Sequence, residues 1–219
     1  MTAAFTDIYH RLLEIYGPQG WWPADSPFEV VLGAILTQNT AWRNAESALA
    51  SLKDVVPLDP ESILNLDEET LLNSIRPSGY YRQKAHKLRI ICRYLADNYD
   101  GDLANMETKG TAELRGELLD LHGIGPETAD SILLYALNRP VFVVDAYTIR
   151  LFERLGHLSI DSSYNQVQEM FMKSLEPDPA VYNEYHALIV IHGKELCRKS
   201  RSLCSQCRLV EMCGYETAA

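Results

Sequence analysis

Apolar residues recur at helical spacing along nearly the whole of this 219-residue chain. Spacings of three and four residues place them on one face of a helix, so each stretch predicts an amphipathic helix. The sequence SPFE at 26–29 has the pattern of a capping box with proline at the first helical position, and it predicts a helix through VVLGAIL. VFVV at 141–144 is typical of a strand but is too short to build a sheet. We therefore expect an all-α fold, with the other helices within 41–52, 61–65, 69–75, 81–97, 111–121, 126–138, 145–155, 164–174 and 180–193.

The helices are expected to form two domains. One is continuous, covers residues 20–138 and contains two glycine turns, in LNSIRPSGYYRQKAHKL and LLDLHGIGPETADSIL. The other joins residues 1–19 to 139–219, because the apolar helix faces of the C-terminal part need a packing partner.

Charge is distributed unevenly along the chain. The formal net charge is −10, yet two segments, 76–93 and 194–208, are basic. The acidic stretch at 54–69 is typical of a solvated helix face. Basic segments in so acidic a protein are better explained by a polyanion bound on one face. Their bases are Arg76, Arg82, Lys84, Lys87, Arg89 and Arg93, and Lys194, Arg198, Lys199, Arg201 and Arg208.

Four of the five cysteines lie close together near the C-terminus, with the spacing C-x6-C-x2-C-x5-C. No apolar run approaches the roughly 20 residues of a membrane span, and the N-terminal residues do not have the pattern of a signal peptide, so we expect an intracellular protein without a membrane partner. In a reducing compartment such a cluster is more typical of a metal site than of disulfides, and four thiolates suit zinc or an iron–sulfur cluster. The expected ligands are Cys197, Cys204, Cys207 and Cys213, whereas Cys92 is expected to be a small buried residue.

LHGIGPETAD at 121–130 separates two helices with a glycine turn. Gly123 and Gly125 can adopt positive φ and allow another backbone to approach closely. Thr128 and the backbone N–H groups after Gly125 would then face outward, where a phosphate binds well at the start of a helix. The alternative is that the hairpin serves helix packing alone.

Three stretches and the cysteine spacing together resemble a known family. LHGIGPETAD, VVDAYTIRLFERLG and HGKELC, followed by C-x6-C-x2-C-x5-C, are similar to the endonuclease III branch of the helix-hairpin-helix DNA glycosylases. The resemblance implies base-excision repair, in which the hairpin amides hold a DNA phosphate, the damaged nucleotide is flipped out, and an aspartate promotes cleavage of its N-glycosidic bond. It also implies that the four cysteines hold a 4Fe–4S cluster, which orders the loop of Arg198, Lys199 and Arg201 against phosphates.

One position departs from the family members that also cut the DNA strand. Those members carry a nucleophilic lysine two residues after the second hairpin glycine, and here that residue is Glu127, which cannot form an imine. WWP at 21–23, LGAILTQNT at 32–40 and RPSGYYRQKA at 76–85 resemble the 3-methyladenine DNA glycosylase III subgroup. That subgroup has the same glutamate and removes alkylated purines without cutting the strand. The resemblance therefore implies a monofunctional glycosylase for alkylated purines such as 3-methyladenine.

Asp145 matches the catalytic aspartate of the family. It follows an apolar run and is also in position to cap a helix that begins at Ala146. Both roles can coexist, because a cap needs one carboxylate oxygen. The other oxygen would stabilise positive charge on the sugar or deprotonate the attacking water.

The base pocket is assigned to tryptophans and two charged residues. Indole faces attract a cationic ring by roughly 0.5–2 kcal/mol, which would select methylated, charged purines over normal ones. Core packing is the alternative for each tryptophan, and exposure to solvent is the alternative for the lysine. The pocket residues are Trp21, Trp22, Trp42, Glu127 and Lys194.

Four further residues are assigned to the DNA. Gln38 and Tyr80 match positions where relatives insert side chains into the base stack, although Gln38 could instead form hydrogen bonds at its own helix end. Arg82 and Lys84, in the most basic segment, are expected to bind phosphates.

The expected partner is double-stranded DNA with a damaged base, bound by a monomer. A thymine or uracil mismatch glycosylase and a bifunctional glycosylase/AP lyase are the enzymatic alternatives. A non-catalytic helix-hairpin-helix DNA-binding protein and an electron carrier built on the cysteines are the alternatives from other classes.

Overall fold

The computed structural model describes residues 4–159 and 161–215. Contacts divide the chain into two compact units, Met1–Pro23 with Pro140–Ala219, and Ala24–Arg139. The division expected from the sequence began the continuous domain at residue 20. The structural division instead groups residues 20–23 with the C-terminal part of the chain.

The described part of the chain contains helices and no strand, which confirms the all-α prediction. None of these helices combines the length and the apolar character that a bilayer span requires. Helix α8 is followed directly by a π-helical turn, Ile132–Ala136. The helices are α1 (Phe5–Tyr16), α2 (Pro27–Leu36), α3 (Trp42–Lys53), α4 (Pro60–Asn65), α5 (Glu68–Ile75), α6 (Tyr81–Tyr99), α7 (Thr111–Asp120), α8 (Pro126–Ser131), α9 (Ala146–Arg154), α10 (Tyr164–Ser174) and α11 (Pro179–Glu195).

Helix α2 is buried from Phe28 to its last residue, and it packs against α3, α6 and α8. Ser26 Oγ accepts a hydrogen bond from the Glu29 N–H at 3.2 Å, so the helix begins where the SPFE motif predicts. The reciprocal half of a capping box is absent, because the Glu29 carboxylate instead accepts from the Asp25 N–H and pairs with Lys53. The loop that carries Gln38 follows the C-terminal end of this helix.

An aromatic cluster forms the core of the other unit. The Phe142 ring stacks on Phe171 with centroids 3.9 Å apart, and Phe5 and Phe152 contact Phe171 at 4.8 and 4.6 Å. These rings come from α1, α9, α10 and the segment before α9, so they join the ends of the chain sequence into one core. Helix α1 was not among the helices predicted from apolar periodicity.

The segment VFVV at 141–144 is fully buried but is not a strand, so that interpretation was wrong. Side chains of α10 bind two of its backbone groups: Gln168 Nε2 donates to Phe142 O at 2.7 Å, and the Val144 N–H donates to the Tyr164 hydroxyl at 3.4 Å. These side chains take the place of a neighbouring strand at Phe142 O and at the Val144 N–H. The segment leads directly to Asp145.

Candidate active-site and DNA-binding residues

The glycine turn of LHGIGPETAD connects α7 to α8, and Gly123 is required there for two reasons. Its φ is +84°, in the region that favours glycine, and a Cβ atom would lie 2.5 Å from Lys87 Cε. Gly125 has a φ of −95° as the N-cap of α8, so the expectation of positive φ holds for the first glycine and was wrong for the second. In the described residues, the N–H groups of Gly123 and Gly125 have no protein acceptor. The turn can therefore offer both amides to an anion.

Gln38 ties the loop after α2 to this hairpin. Its Nε2 donates to Thr128 Oγ1 at 2.9 Å and to Gly123 O at 3.2 Å, while its Oε1 accepts from Lys87 Nζ at 2.5 Å. Thr128 is buried, so the prediction that it faces outward toward a phosphate was wrong. Its hydroxyl faces the interior because it supplies the acceptor that the Gln38 amide needs. Insertion of Gln38 into DNA stays a prediction.

Lys84, in the basic segment, is buried, so the prediction that it binds a phosphate was wrong. It is 2% exposed, and its Nζ donates to Leu36 O at 2.8 Å and to Ser78 O at 2.7 Å. Burial, with the nearby Lys87 charge, lowers the pKa of Lys84 to about 8. It cannot meet a phosphate from this position, because helical spacing places it on the inner face of α6. It instead joins the ends of α2 and of the turn before Tyr80.

Tyr80 and Arg82 are exposed at the start of α6. Tyr80 has 66% of its surface accessible and a left-handed backbone with φ +46°, a conformation that is strained for a residue with a Cβ atom. Arg76 and Arg82 each place their guanidinium 5.9 Å from the centre of the Tyr81 ring. Two cations and an exposed aromatic ring thus occupy one short turn.

Asp145 is the N-cap of α9, as the sequence predicted. Its Oδ1 accepts from the Thr148 N–H at 2.8 Å and from Thr148 Oγ1 at 3.0 Å, and its Oδ2 lies 3.6 Å from His186 Nε2. Burial raises the pKa of the Asp145 carboxyl, but His186 and the Thr148 hydrogen bonds outweigh it and leave the pKa below its ordinary value. The carboxylate is therefore ionised at neutral pH. Its catalytic role stays a prediction.

His186 was not identified as a functional residue from the sequence. It lies in α11, about 40 residues beyond Asp145, and nothing in its local pattern distinguishes it from the other histidines. Only the packing of α11 against α9 brings the two side chains together.

Trp21, Trp22 and Lys194 form a small aromatic and cationic group. The two indole rings meet edge to face with centroids 5.6 Å apart, and Lys194 Nζ lies 5.8 Å from the centre of the Trp21 ring. The face of Trp21 can thus accommodate a positive charge. Trp42 is the first residue of α3, and Glu127 lies in the first turn of α8, both in the unit Ala24–Arg139. The assignment of these residues to a base pocket stays a prediction.

The four clustered cysteines line one cavity of about 30 Å³, together with apolar side chains and His192. Arg154 Nη1 donates to Cys197 Sγ at 3.2 Å, and Cys207 Sγ lies 3.6 Å from His192 Nε2. In the described residues, no group of three or more His, Cys, Asp or Glu side chains has the geometry of a finished metal site. The donor set nevertheless fits a thiolate-bound group: four soft ligands surround one space, and a guanidinium can offset their charge. The cavity is lined by Cys197, Cys204, Cys207 and Cys213.

The loop that follows the first of these cysteines carries the exposed bases Arg198, Lys199 and Arg201. Arg154 Nη1 also donates to Arg198 O at 2.9 Å and to Ser202 Oγ at 2.8 Å, so one α9 side chain holds both the loop and a cysteine. Cys92 is buried in α6, and burial raises the pKa of its thiol to about 12, in agreement with a structural residue.

Comparisons with known proteins agree with these observations. Residues 32–177 match the family model of the HhH-GPD superfamily base excision DNA repair proteins. A Methanocaldococcus jannaschii protein provisionally named a DNA repair glycosylase is 50% identical over 94% of both chains. Endonuclease III of Sulfolobus acidocaldarius is 29% identical over 86% of this chain and 82% of its own. The solved structure of the 3-methyladenine DNA glycosylase of H. pylori, with bound 1,N6-ethenoadenine, is 29% identical, covers 86% of this chain and 96% of its own, and has a TM-score of 0.75.

Three findings lead to one conclusion: the family match across two thirds of the chain, the relative with 50% sequence identity, and the all-helical fold with the glycine hairpin. The chain belongs to the HhH-GPD superfamily and is an endonuclease III-like helix-hairpin-helix DNA glycosylase of base-excision repair.

Proposed function

We propose that this protein is a monofunctional glycosylase that hydrolyses the N-glycosidic bond of alkylated purines such as 3-methyladenine. The observation that carries the proposal is Asp145, an ionised carboxylate that is 12% exposed and has one oxygen held by the α9 cap. The glutamate at position 127 supports the absence of strand cleavage, because the hairpin then carries no amine that could form an imine.

In this proposal the second oxygen of Asp145, Oδ2, faces the reacting sugar. As the C1′–N bond breaks, the purine leaves with the bonding electron pair and positive charge develops on the sugar, which the carboxylate stabilises. A water oxygen then bonds to C1′, and its proton passes to the carboxylate or to solvent. A cationic alkylpurine leaves as a neutral base, so the reaction needs no general acid.

The DNA is held by the hairpin and by exposed bases. The N–H groups of Gly123 and Gly125 bind one phosphate, and the monomer needs no second copy to complete this site. Tyr80, with two thirds of its surface accessible on a strained turn, stacks on the bases beside the flipped nucleotide. Further phosphates are bound by Arg82, Arg198, Lys199 and Arg201, which are all exposed.

The flipped base is selected by charge in a pocket of indoles. Lys194 beside the Trp21 ring supports this assignment, since a cationic purine can take the position of the ammonium on the same face. Trp22, which meets Trp21 edge to face, belongs to the same proposed pocket. Similarity to the H. pylori 3-methyladenine glycosylase supports the choice of alkylated purines.

We further propose that Cys197, Cys204, Cys207 and Cys213 hold a 4Fe–4S cluster. The common cavity and the Arg154 hydrogen bond to Cys197 support this ligand set. When bound, the cluster supplies a rigid anchor for the loop of exposed bases. The protein itself contributes the Arg154 contacts that hold this loop against α9.

The test is base release from duplexes that contain 3-methyladenine, 7-methylguanine, uracil, mismatched thymine or thymine glycol. We expect release of the alkylated purines with an intact abasic strand and no borohydride-trapped adduct. Asp145→Asn should keep the helix cap and DNA binding but lose excision by about 10²-fold or more. Asp178→Asn is the matched control, because Asp178 caps α11 in the same way and has no proposed role in catalysis.

Other outcomes would identify the alternatives. Release of uracil or mismatched thymine without alkylated purines would replace the proposed substrate class. A trapped adduct or strand cleavage would establish the bifunctional reaction, and wild-type excision by Asp145→Asn would remove Asp145 from the mechanism.

A further inference from the structure

The two oxygens of the Asp145 carboxylate have different partners. Oδ1 is fully used by the α9 cap, through two hydrogen bonds from Thr148. Oδ2 takes no part in the cap, and the Nε2 atom of His186 lies 3.6 Å from it. The oxygen that is available for chemistry is therefore the one that the imidazole faces.

The imidazole is held in place by the core of its unit. His186 is 6% exposed, and its ring meets Phe142 edge to face with centroids 6.4 Å apart. The preceding residue, Tyr185, is buried and its hydroxyl donates to Phe5 O at 2.8 Å, which fixes α11 at this turn. A side chain so confined can hold a carboxylate in one orientation.

A buried carboxylate needs such a neighbour to stay charged. Burial alone favours the protonated form of Asp145, and a protonated carboxyl group could not stabilise a cationic sugar. The Thr148 hydrogen bonds offset part of this cost. The larger opposing contribution comes from the electrostatic interaction with His186.

His186 is the titratable group that lowers the pKa of Asp145, and the neighbouring polar side chains have other partners. Arg150 of α9 donates to Cys197 O and Gly193 O, and Tyr164 of α10 bonds to the Val144 N–H. The segment 141–144 that precedes Asp145 is apolar. Within its unit, His186 and the Thr148 hydrogen bonds together favour the charged form of Asp145, and His186 makes the larger contribution.

We propose that His186 is a positioning residue for the glycosylase reaction: its imidazole orients Oδ2 of Asp145 and keeps the carboxylate ionised for catalysis. This inference rests on the proposed role of Asp145 as the catalytic carboxylate. It assigns no direct contact between His186 and DNA.

The first experiment measures the ionisation of the Asp145 carboxyl group in the absence of substrate. The carboxyl carbons of aspartate are labelled with ¹³C, the Asp145 signal is assigned with Asp145→Asn, and its titration is followed by NMR. In His186→Leu the carboxyl should ionise at a higher pH than in the wild type, by about one pH unit or more. His186→Gln keeps an N–H donor at similar reach and should restore part of the difference.

The second experiment measures single-turnover excision of 3-methyladenine against pH. The acidic limb of the His186→Leu profile should move to higher pH by the same amount as the carboxyl titration, so that the rate of the variant relative to the wild type is lower on the acidic limb than at pH 8. DNA affinity should stay unchanged. His157→Leu is the control: His157 packs against Phe5 and Phe152 in the same unit and does not contact Asp145, so neither measurement should change.

An Asp145 titration that is the same in His186→Leu and the wild type would overturn the inference. A shifted titration with an unshifted excision profile would also overturn it, because ionisation of Asp145 would then not control the rate. If the titration shifts but the wild type releases no alkylated purine, the pairing stands and the proposed substrate class fails.

Discussion

Replacement of Lys84 by methionine removes a buried amine whose protonation is unfavourable in the folded protein. The side chain is 2% exposed, and its pKa is lowered to about 8 by burial and by the charge of Lys87. An unfolded lysine has a pKa of about 10.4. Between these two values the unfolded chain binds more protons than the folded one, so the free energy of unfolding rises with pH.

The size of this effect follows from the two pKa values. Linkage gives the wild type a gain of about 2 kcal/mol in the free energy of unfolding between pH 7 and pH 9.5 through this lysine alone. Methionine fills a similar volume and does not titrate, so Lys84→Met should lack that gain. The loss of the hydrogen bonds to Leu36 O and Ser78 O costs about 1–3 kcal/mol for each carbonyl left without a partner, but that cost is nearly independent of pH.

Urea denaturation of the wild type and of Lys84→Met at both pH values checks this prediction. The difference in the free energy of unfolding between the two proteins should grow by about 2 kcal/mol from pH 7 to pH 9.5. Lys173→Met is the control, because Lys173 is largely exposed and should give a constant difference. Equal pH dependence in the wild type and Lys84→Met would refute the reasoning, since Lys84 would then be protonated alike in both states.

Three further predictions concern the DNA interface and the cysteines. Arg82→Glu should weaken DNA binding at every sequence and lower the slope of log Kd against log salt concentration by about 1 to 2, and an unchanged slope in salt titrations would remove Arg82 from the interface. Gly123→Ala should lower the free energy of unfolding by about 1–3 kcal/mol, because the residue has a positive φ and a Cβ atom would collide with Lys87. Gly116→Ala is the control, since a Cβ atom there meets no other atom within 4 Å. Equal effects of the two substitutions would contradict the strain at Gly123. Cys207→Ser should reduce bound iron and the broad visible absorption of anaerobically purified protein, and stoichiometric zinc without iron in the wild type would contradict a cluster.

Local patterns predicted much of the fold. Apolar periodicity identified most helices, because their packing faces repeat every three to four residues. Capping residues located the starts of α2 and α9, since a cap acts on the N–H groups of the next turn. VFVV was misread as a strand because burial alone does not distinguish a strand from an extended segment that is held by side chains of α10.

The sequence by itself determined the family, the hairpin and the candidate carboxylate, because each depends on residues that are close together in the chain. Only the tertiary structure decided which polar groups those residues meet. Lys84 and Thr128 were predicted to lie at the surface, yet both are buried. The Leu36 carbonyl and the Gln38 amide, which are distant in the sequence, provide partners for them. His186 acquires its place beside Asp145 when α11 packs on α9. Such pairings depend on how helices pack in three dimensions, and the spacing of residues along one helix does not predict them.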